Sequence, residues 1–435
     1  RCLCSNANMN DKTLTVGLAA VFLLILALIT RHGDIAWMSL PFLMYLLVGV
    51  LQAPDVERVS LHTKRTLEQT RIHGIASIIV RLAVQNMGLG AVHLFVEETV
   101  QPGMKSTEGE LSQWATLRPG EATELKYTFT AARGDFSWKS IRTRVGDPLG
   151  LIQSEILLPD TTTLQVRPPV RKFKAIPLRP RTTVHSPGSI PARIGGSGTD
   201  FFGVREYHPG DPLRTLDWRL TARHPRRFFT REFEQEEIAE IGLILDARQK
   251  TDLRVGEDSL FEHGVGAAAS LAEMFLHQGH RVSLLVFGER MLTAFPGYGK
   301  RQLQRILGCL SRARVGTDSS GLGSLDFLPI RMFPPHALMI VISSLTSTDR
   351  SFFQRLRAYG YQALLVSPDP IDFARPALSQ DAVNQLAIRA ACIERRLRLN
   401  EVARLDVPVV DWRVHQPLFP LLRNALTRSR GQREL

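Results

Sequence analysis

The chain has 435 residues, 44% hydrophobic and 22% charged, which excludes wholesale disorder and, at roughly 150 residues per domain, allows two or three folded units. Lys and Arg (54) outnumber Asp and Glu (42), giving +12 and a pI near 9.9; that sign asks for an anionic neighbour such as a membrane surface, nucleic acid or an acidic protein. Four cysteines, Cys2, Cys4, Cys309 and Cys392, fit no disulfide framework and no zinc spacing, so a disulfide-stapled secreted scaffold is excluded and a reducing compartment fits.

Residues 1–13 read as an N-terminal tail in which Met9 offers a translation start. From Leu14 to Thr30 run 17 residues without a charge, and from Ile35 to Ala53 another 19. Each is near the ~20 residues needed to cross a bilayer, so 14–53 is predicted as two transmembrane helices. No small-residue cleavage site stands between them, which favours a hairpin over a cleaved signal. Lys12 precedes the hairpin and Arg58, Lys64, Arg65 and Arg71 follow it, so the positive-inside rule places both ends in the cytoplasm. The expected localisation is the cell membrane, multi-pass, with the large C-terminal part facing the cytoplasm.

Residues 56–168 change to short alternating runs such as 77–84 and 124–131, punctuated by Gly, Pro and Asn, and predict an antiparallel β-sandwich. Between Thr161 and Thr199 there is no acidic residue, whereas Arg167, Arg171, Lys172, Lys174, Arg179, Arg181 and Arg193 stand among six prolines. Residues 169–197 therefore read as an extended basic linker, either solvated or lying along anionic lipid.

Residues 198–237 are dense in chemistry: seven arginines, eight acidic residues, two histidines and seven aromatics. Charges are seldom buried unless paired, so the mixture predicts an internal clamp of ion pairs, a binding face, or both. Arg205, Arg214, Arg223 and Arg231 are set against Asp211, Asp217, Glu232 and Glu234, while HPGD (208–211) reads as a turn. Residues 238–430 then alternate apolar strands (241–246, 281–288, 337–344, 361–367, 407–412) with helical segments, which predicts a doubly wound α/β domain. Its sites are expected at the carboxyl ends of the strands: Asp246 to Lys250, Phe287 to Arg290, Ser343 to Thr348, and Ser367 to Asp369.

The wording of the charged stretch resembles the bacterial and archaeal family called domain of unknown function 58. The resemblance rests on Phe201, Gly203, Arg205, Glu206, Tyr207, Pro209, Gly210, Asp211, Arg214, Asp217, Trp218, Ala222 and Arg223, followed by Arg231, Glu232, Phe233 and Glu234. Arg133 to Phe136 and Asp147 to Leu151 resemble further family segments in the sandwich. The resemblance implies two membrane helices, a β-sandwich and a von Willebrand factor A-like, Rossmann-like domain. It also implies association with MoxR-type AAA+ ATPases and transglutaminase-like membrane proteins in the assembly or maturation of other proteins.

Metal-binding A domains end their first strand in Asp-x-Ser-x-Ser, a donor set suited to Mg²⁺. Here Asp246 is followed by Arg248 and Lys250 at the serine positions, and Ser343 and Ser344 stand where Ser-Asp is expected. The site reads as degenerate, with no metal or other cofactor, and with Arg248 or Lys250 pairing with Asp246 in place of the ion. The expected function is that of a membrane-anchored, non-catalytic scaffold or adaptor whose partners are the lipid bilayer and a MoxR-type ATPase. Two other classes are weighed: an enzyme using His208, Asp211 and Asp217 in acid-base chemistry, and a nucleic-acid module in which aromatics stack on bases. The acidic residues of the motif, which would repel phosphate, and the membrane hairpin make nucleic acid an unlikely partner.

Overall fold

Two hydropathy patterns produce two kinds of sheet: alternation where one face is buried, and continuous apolar runs where both are. The computed structural model describes residues 8–9, 11–51, 59–69, 71–74, 77–147, 151–176, 184–224, 226–288, 291–316, 325, 328–379 and 381–431. The chain divides into two units, Arg1–Val166 and Arg167–Leu435.

The first unit opens with helices α1 (Asp11–Thr30) and α2 (Gly33–Leu51), which pack on each other. Both are long and apolar enough to cross a membrane, and they suggest a membrane anchor. Ala20, Ala27 and Ser39 are buried while Leu28, Ile29 and Trp37 stand outward, the pattern by which small residues let helices approach closely within lipid.

The strands of this unit are β1 (Leu61–Leu67), β2 (Ser77–Asn86), β3 (Val92–Glu97), β4 (Met104–Gly109), β5 (Ser112–Leu117), β6 (Ala122–Ala131), β7 (Gly134–Gly146) and β8 (Ile152–Arg167). They form two antiparallel sheets, ordered β1-β2-β6-β4 and β8-β7-β3-β5, the latter joined at β8 by the short strands Asn8–Met9 and Arg71–His73. Alternate residues such as Val80, Leu82 and Val84 of β2 meet Leu94, Phe129, Ile141 and Leu164 in one core between the sheets. That core also holds a charge: Arg65 donates to Glu98 at 2.7 Å, lies 3.1 Å from Asp160, and stacks 5.1 Å from the Trp138 ring. Burial pushes the Glu98 carboxyl above its ordinary range, although Arg65 pulls it down.

In the second unit the segment expected as a linker is structured where it is described. Ile176 is buried against helix α4 (Leu260–His277), its carbonyl accepting from Gln278 Nε2 at 2.9 Å, and Arg171 N donates to Ser270 Oγ at 3.0 Å. Residues 177–183 lie outside the described residues. From there a long strand, β9 (Val184–Glu206), pairs antiparallel with β10 (Phe229–Ile238) as a separate two-stranded ribbon. The register slips at four places along β9, one of them spanning Pro187 and Gly188, because proline removes a ladder donor and glycine permits a bulge. The backbone pairing to β10 therefore replaces the free spacer expected from composition.

The central sheet comprises β11 (Glu240–Asp246), β12 (Arg281–Phe287), β13 (Leu292–Gly297), β14 (Leu338–Ile342), β15 (Gln362–Pro368) and β16 (Val409–Trp412). Its order is β13-β12-β11-β14-β15-β16, parallel throughout except for the antiparallel edge β13. Helix α4, helix α5 (Gly299–Arg312), the short helix α7 (Pro370–Ala374) and helix α9 (Leu418–Gly431) pack on one face with Leu243, Leu284 and Ile340. Helix α6 (Arg350–Ala358) and the end of helix α8 (Ala382–Ala403) pack on the other with Ile244, Leu285 and Val341. Successive strand residues enter opposite cores, which is why these strands read as continuous apolar runs.

His280, where α4 returns to β12, is 2% exposed, and its Nδ1 has no hydrogen-bond partner among the described residues. Burial holds the imidazole down at about 4, against an ordinary 6.5. The folded state therefore stays neutral while the unfolded state takes up a proton, so stability that is full above pH 6.5 is lost as pH falls toward 4. The linkage amounts to at most about 3 kcal/mol. Thermal unfolding between pH 7.5 and 4 is expected to fall more steeply for the wild-type chain than for His280→Gln; parallel curves would contradict it.

Candidate functional site

In an open α/β sheet the loops leave in opposite directions at the point where strand order reverses, opening a crevice at the carboxyl ends. Numbered within the sheet, the order here is 3-2-1-4-5-6, and the reversal falls between β11 and β14. Asp246 closes β11 and Ser343 follows β14, so the topology alone brings them together.

The crevice is filled by a guanidinium. Arg248 Nε and Nη2 donate to Asp246 Oδ1 and Oδ2 at 2.9 and 2.7 Å, and Nη1 and Nη2 donate to Asp349 Oδ1 and Oδ2 at 2.9 and 2.7 Å. Both pairs are two-pronged, the geometry that suits Arg to carboxylates. Ser343 Oγ adds a 2.6 Å bond to Asp246 Oδ2 and accepts from Leu345 N, while Thr346 N donates to Asp349 at 2.7 Å. The side chains of Arg248, Asp246 and Asp349 are 6%, 0% and 1% exposed. Burial alone would lower the Arg248 pKa, but the two carboxylates outweigh it and push it further up. Arg248 thus sits where a cation would sit and occupies both oxygens of each carboxylate. The residues present do not fit a metal ion.

Of the four residues expected at this site, Asp246 and Arg248 are joined. Lys250 is exposed, and Ser344 turns its hydroxyl to the Thr251 carbonyl at 2.8 Å. Asp349 escapes sequence reasoning because it lies seven residues beyond β14, one past the Ser343–Thr348 stretch expected at that strand end. A similar arrangement closes the next crevice: Arg395 of α8 reaches Asp369 at 3.4 Å, Asp411 at 2.6 Å and the Ser367 carbonyl at 3.1 Å. Among the other strand-end candidates, Glu289 and Arg290 lie outside the described residues.

The charged motif is built on the β9–β10 ribbon, at whose end residues 207–228 form a loop. Gly210 takes φ +112°, which only glycine adopts readily, and lets Asp211 N donate back to the His208 carbonyl at 3.0 Å. Arg205 then clamps the loop. It donates to both Asp211 oxygens at 2.7 and 2.9 Å and to Glu232 at 2.7 Å. That pair, with the His208 backbone N–H, holds the Asp211 carboxyl down to about 2. Asp217 caps the short helix α3 (Trp218–Thr221), accepting from Arg219 N and Leu220 N at 3.1 and 3.0 Å, and lies 3.9 Å from Arg231. Tyr207 packs edge-on against Phe228 at 6.4 Å.

The remaining motif residues point elsewhere. Arg214, Arg219, Arg223 and Arg226 are exposed with no ion-pair partner among the described residues, and Leu213, Trp218 and Phe228 are each more than half exposed. His208, Asp211 and Asp217 form no acid-base pair: Asp211 bonds the backbone of His208, and Asp217 serves as a cap. The side chain of Glu234 lies outside the described residues.

Comparison with known proteins places this region. Residues 203–381 match the family described as Protein of unknown function DUF58. The uncharacterized protein YeaD of Bacillus subtilis is 26% identical over 60% of this chain and 64% of its own length. An uncharacterized protein of Mycobacterium bovis is 27% identical over 31% of this chain and 44% of its own. The matched region thus spans less than two thirds of either relative. A solved β-glucosidase from Erythrobacter marinus aligns with 25% of this chain and 15% of its own at 14% identity and TM-score 0.13, too slight to bear on fold or function.

Removing Arg248 leaves two buried carboxylates without their cation. Arg248→Ser is expected to lose about 3–5 kcal/mol of stability, whereas Lys250→Ala, at an exposed position, changes it by less than about 0.5 kcal/mol. Millimolar Mg²⁺ or Mn²⁺ should raise the melting temperature of Arg248→Ser and leave the wild type unmoved. Calorimetry finding micromolar Mg²⁺ binding to the wild type would overturn the assignment of Arg248 as the stand-in cation.

Proposed function

Because the chain belongs to the DUF58 family over residues 203–381, a family whose description names no activity, we propose its function from its own surfaces: it is a membrane-anchored, non-catalytic adaptor that docks an acidic protein on the 207–228 loop. The observation that carries this reading is the sorting of charge in that loop. Its acids are taken up internally, Asp211 by Arg205 and Asp217 by a helix cap, while Arg214, Arg219, Arg223 and Arg226 face solvent beside Trp218 and Phe228. Interfaces draw their binding energy from Trp and Arg anchors, and a uniformly positive face selects an acidic partner. The clamp and the docking face are two sides of one device.

The central sheet, with its antiparallel edge and its Arg248-filled crevice, is read as a von Willebrand factor A-like domain that has exchanged ion binding for rigidity. With the crevices at Asp246 and at Asp369 occupied by Arg248 and Arg395, the reading places the acidic partner on the loop. The family resemblance supplies the partner class, a MoxR-type AAA+ ATPase in protein assembly or maturation, with a transglutaminase-like membrane protein as a second candidate. A cytosolic ATPase requires the C-terminal unit to face the cytoplasm, in agreement with the charges flanking the hairpin.

Single-stranded nucleic acid is a second reading, favoured by the same aromatics among arginines. Counted along the sequence, the acids of the motif oppose it; in the structure the two acids of the 207–228 loop, Asp211 and Asp217, are engaged by Arg205 and by the helix cap, and Arg214, Arg219, Arg223 and Arg226 stay exposed. Crosslinking pull-down from native membranes separates the two. The wild-type chain is expected to recover an AAA+ ATPase, and Arg214→Glu with Arg223→Glu, both at exposed positions, should lower recovery by at least about tenfold, as for loss of interface anchors. Recovery of no ATPase by the wild type would sink the partner, and tight oligonucleotide binding that weakens steeply with salt would favour the second reading.

A further inference from the structure

Helix α8 begins at Ala382, where the family match ends, and it has two faces that its sequence does not announce together. One is buried: Arg395 and Val402 point into the C-terminal unit. On the opposite side Val383, Leu386, Ala390, Ile393 and Leu397 follow one another at spacings of three and four. All five are exposed, with Val383, Leu386, Ile393 and Leu397 at 77%, 68%, 62% and 60%. At 3.6 residues per turn this alternation keeps the five in one narrow stripe, the a and d positions of a coiled-coil heptad. A soluble surface has no use for four large aliphatic side chains in such a row unless another helix covers them.

The charges beside the stripe say which helix. With Val383 as an a position, the g positions are Arg389 and Arg396 and the e positions are Glu394 and Glu401. In a parallel pair of identical helices each g residue faces the e residue of the partner's next heptad. Arg389 then meets Glu394 of the second copy, and Arg396 meets Glu401, twice over by symmetry. In an antiparallel pair g faces g and e faces e, which sets Arg against Arg and Glu against Glu. Among the described residues the competing contact within the chain is a 3.8 Å approach of Arg398 to Glu394, in the weak range of exposed pairs.

We propose that α8 is a homodimerisation seam at which two copies of this chain pair in parallel through Val383, Leu386, Ala390, Ile393 and Leu397, with register set by Arg389–Glu394 and Arg396–Glu401. The contact is isologous, as twofold symmetry requires. It does not depend on the adaptor reading, because the seam and the 207–228 loop are different surfaces.

The test uses the full chain in native membranes, with Cys2, Cys4, Cys309 and Cys392 replaced by serine or alanine. Single cysteines are introduced as Leu386→Cys, Ile393→Cys and, off the seam, Gln385→Cys. Under mild oxidation the two seam variants are expected to give at least about tenfold more covalent homodimer than Gln385→Cys, because parallel d positions lie within disulfide reach of their counterparts. Adding Arg389→Glu and Arg396→Glu to Ile393→Cys should abolish the crosslink. Coexpression with a chain carrying Ile393→Cys, Glu394→Arg and Glu401→Arg should restore it as a heterodimer. Unchanged melting temperatures in detergent would confirm that each variant folds. Equal crosslinking on and off the seam, a link between Val383→Cys of one copy and Leu397→Cys of another, or capture of a different protein would each overturn the proposal.

Discussion

The C-terminal unit turns on one buried guanidinium. Arg248 ties the end of the first sheet strand to the start of helix α6 by holding Asp246 and Asp349 at once. Ser343 and Leu345, the latter at φ +64°, are shaped around the same carboxylates. Taking one cation and two anions out of water is costly, and the cost is met only because every charged oxygen has a donor at hydrogen-bond distance. The arrangement carries a net negative charge before the Ser343 hydroxyl and the backbone amides are counted, so those neutral donors are part of the balance. A metal ion would exert the same pull but exchanges with solvent. An arginine is covalently fixed and makes the crevice permanently closed.

Much of this was legible in the sequence, and the part that was not has a physical reason. The apolar hairpin and the strand 241–246 announce themselves, because burial on all sides leaves no alternation to misread. The two cations after Asp246, Arg248 and Lys250, were also visible, yet sequence cannot say which of them turns inward. Arg248, two residues past the strand and still extended as the cap of the next turn, folds back so that its N–H also bonds Asp246 at 3.1 Å; Lys250 lies within that 3-10 turn and stays in solvent. Asp349 was invisible, since loop geometry and not spacing returns it to the crevice. The stretch before the motif failed in another way. Prolines and an absence of acids looked like a spacer, whereas the partner that makes β9 a strand lies across the 207–228 loop, in β10.

The charged motif shows why composition along the chain is a poor guide to a surface. Counted in sequence its acids slightly exceed its arginines, but Asp211 and Asp217 are engaged by Arg205 and by the amides of α3, and the loop presents the surplus arginines. The same sorting explains the exposed tryptophan. Trp218 follows the cap residue directly, so its side chain leaves the first turn of a helix too short to bury it.

Helix α8 combines these themes. Its inner face spends Arg395 on Asp369 and Asp411, closing a second strand end much as Arg248 closes the first. A helix held inward by an ion pair can leave an apolar stripe on its outer face without losing its place in the fold, because the stripe contributes nothing to the core. The consequence concerns binding strength. A seam of little more than two heptads is marginal for free peptides, but chains held in one membrane meet at a raised effective concentration. A pair so formed would carry two basic loops, and a partner that engages both gains affinity without any new contact.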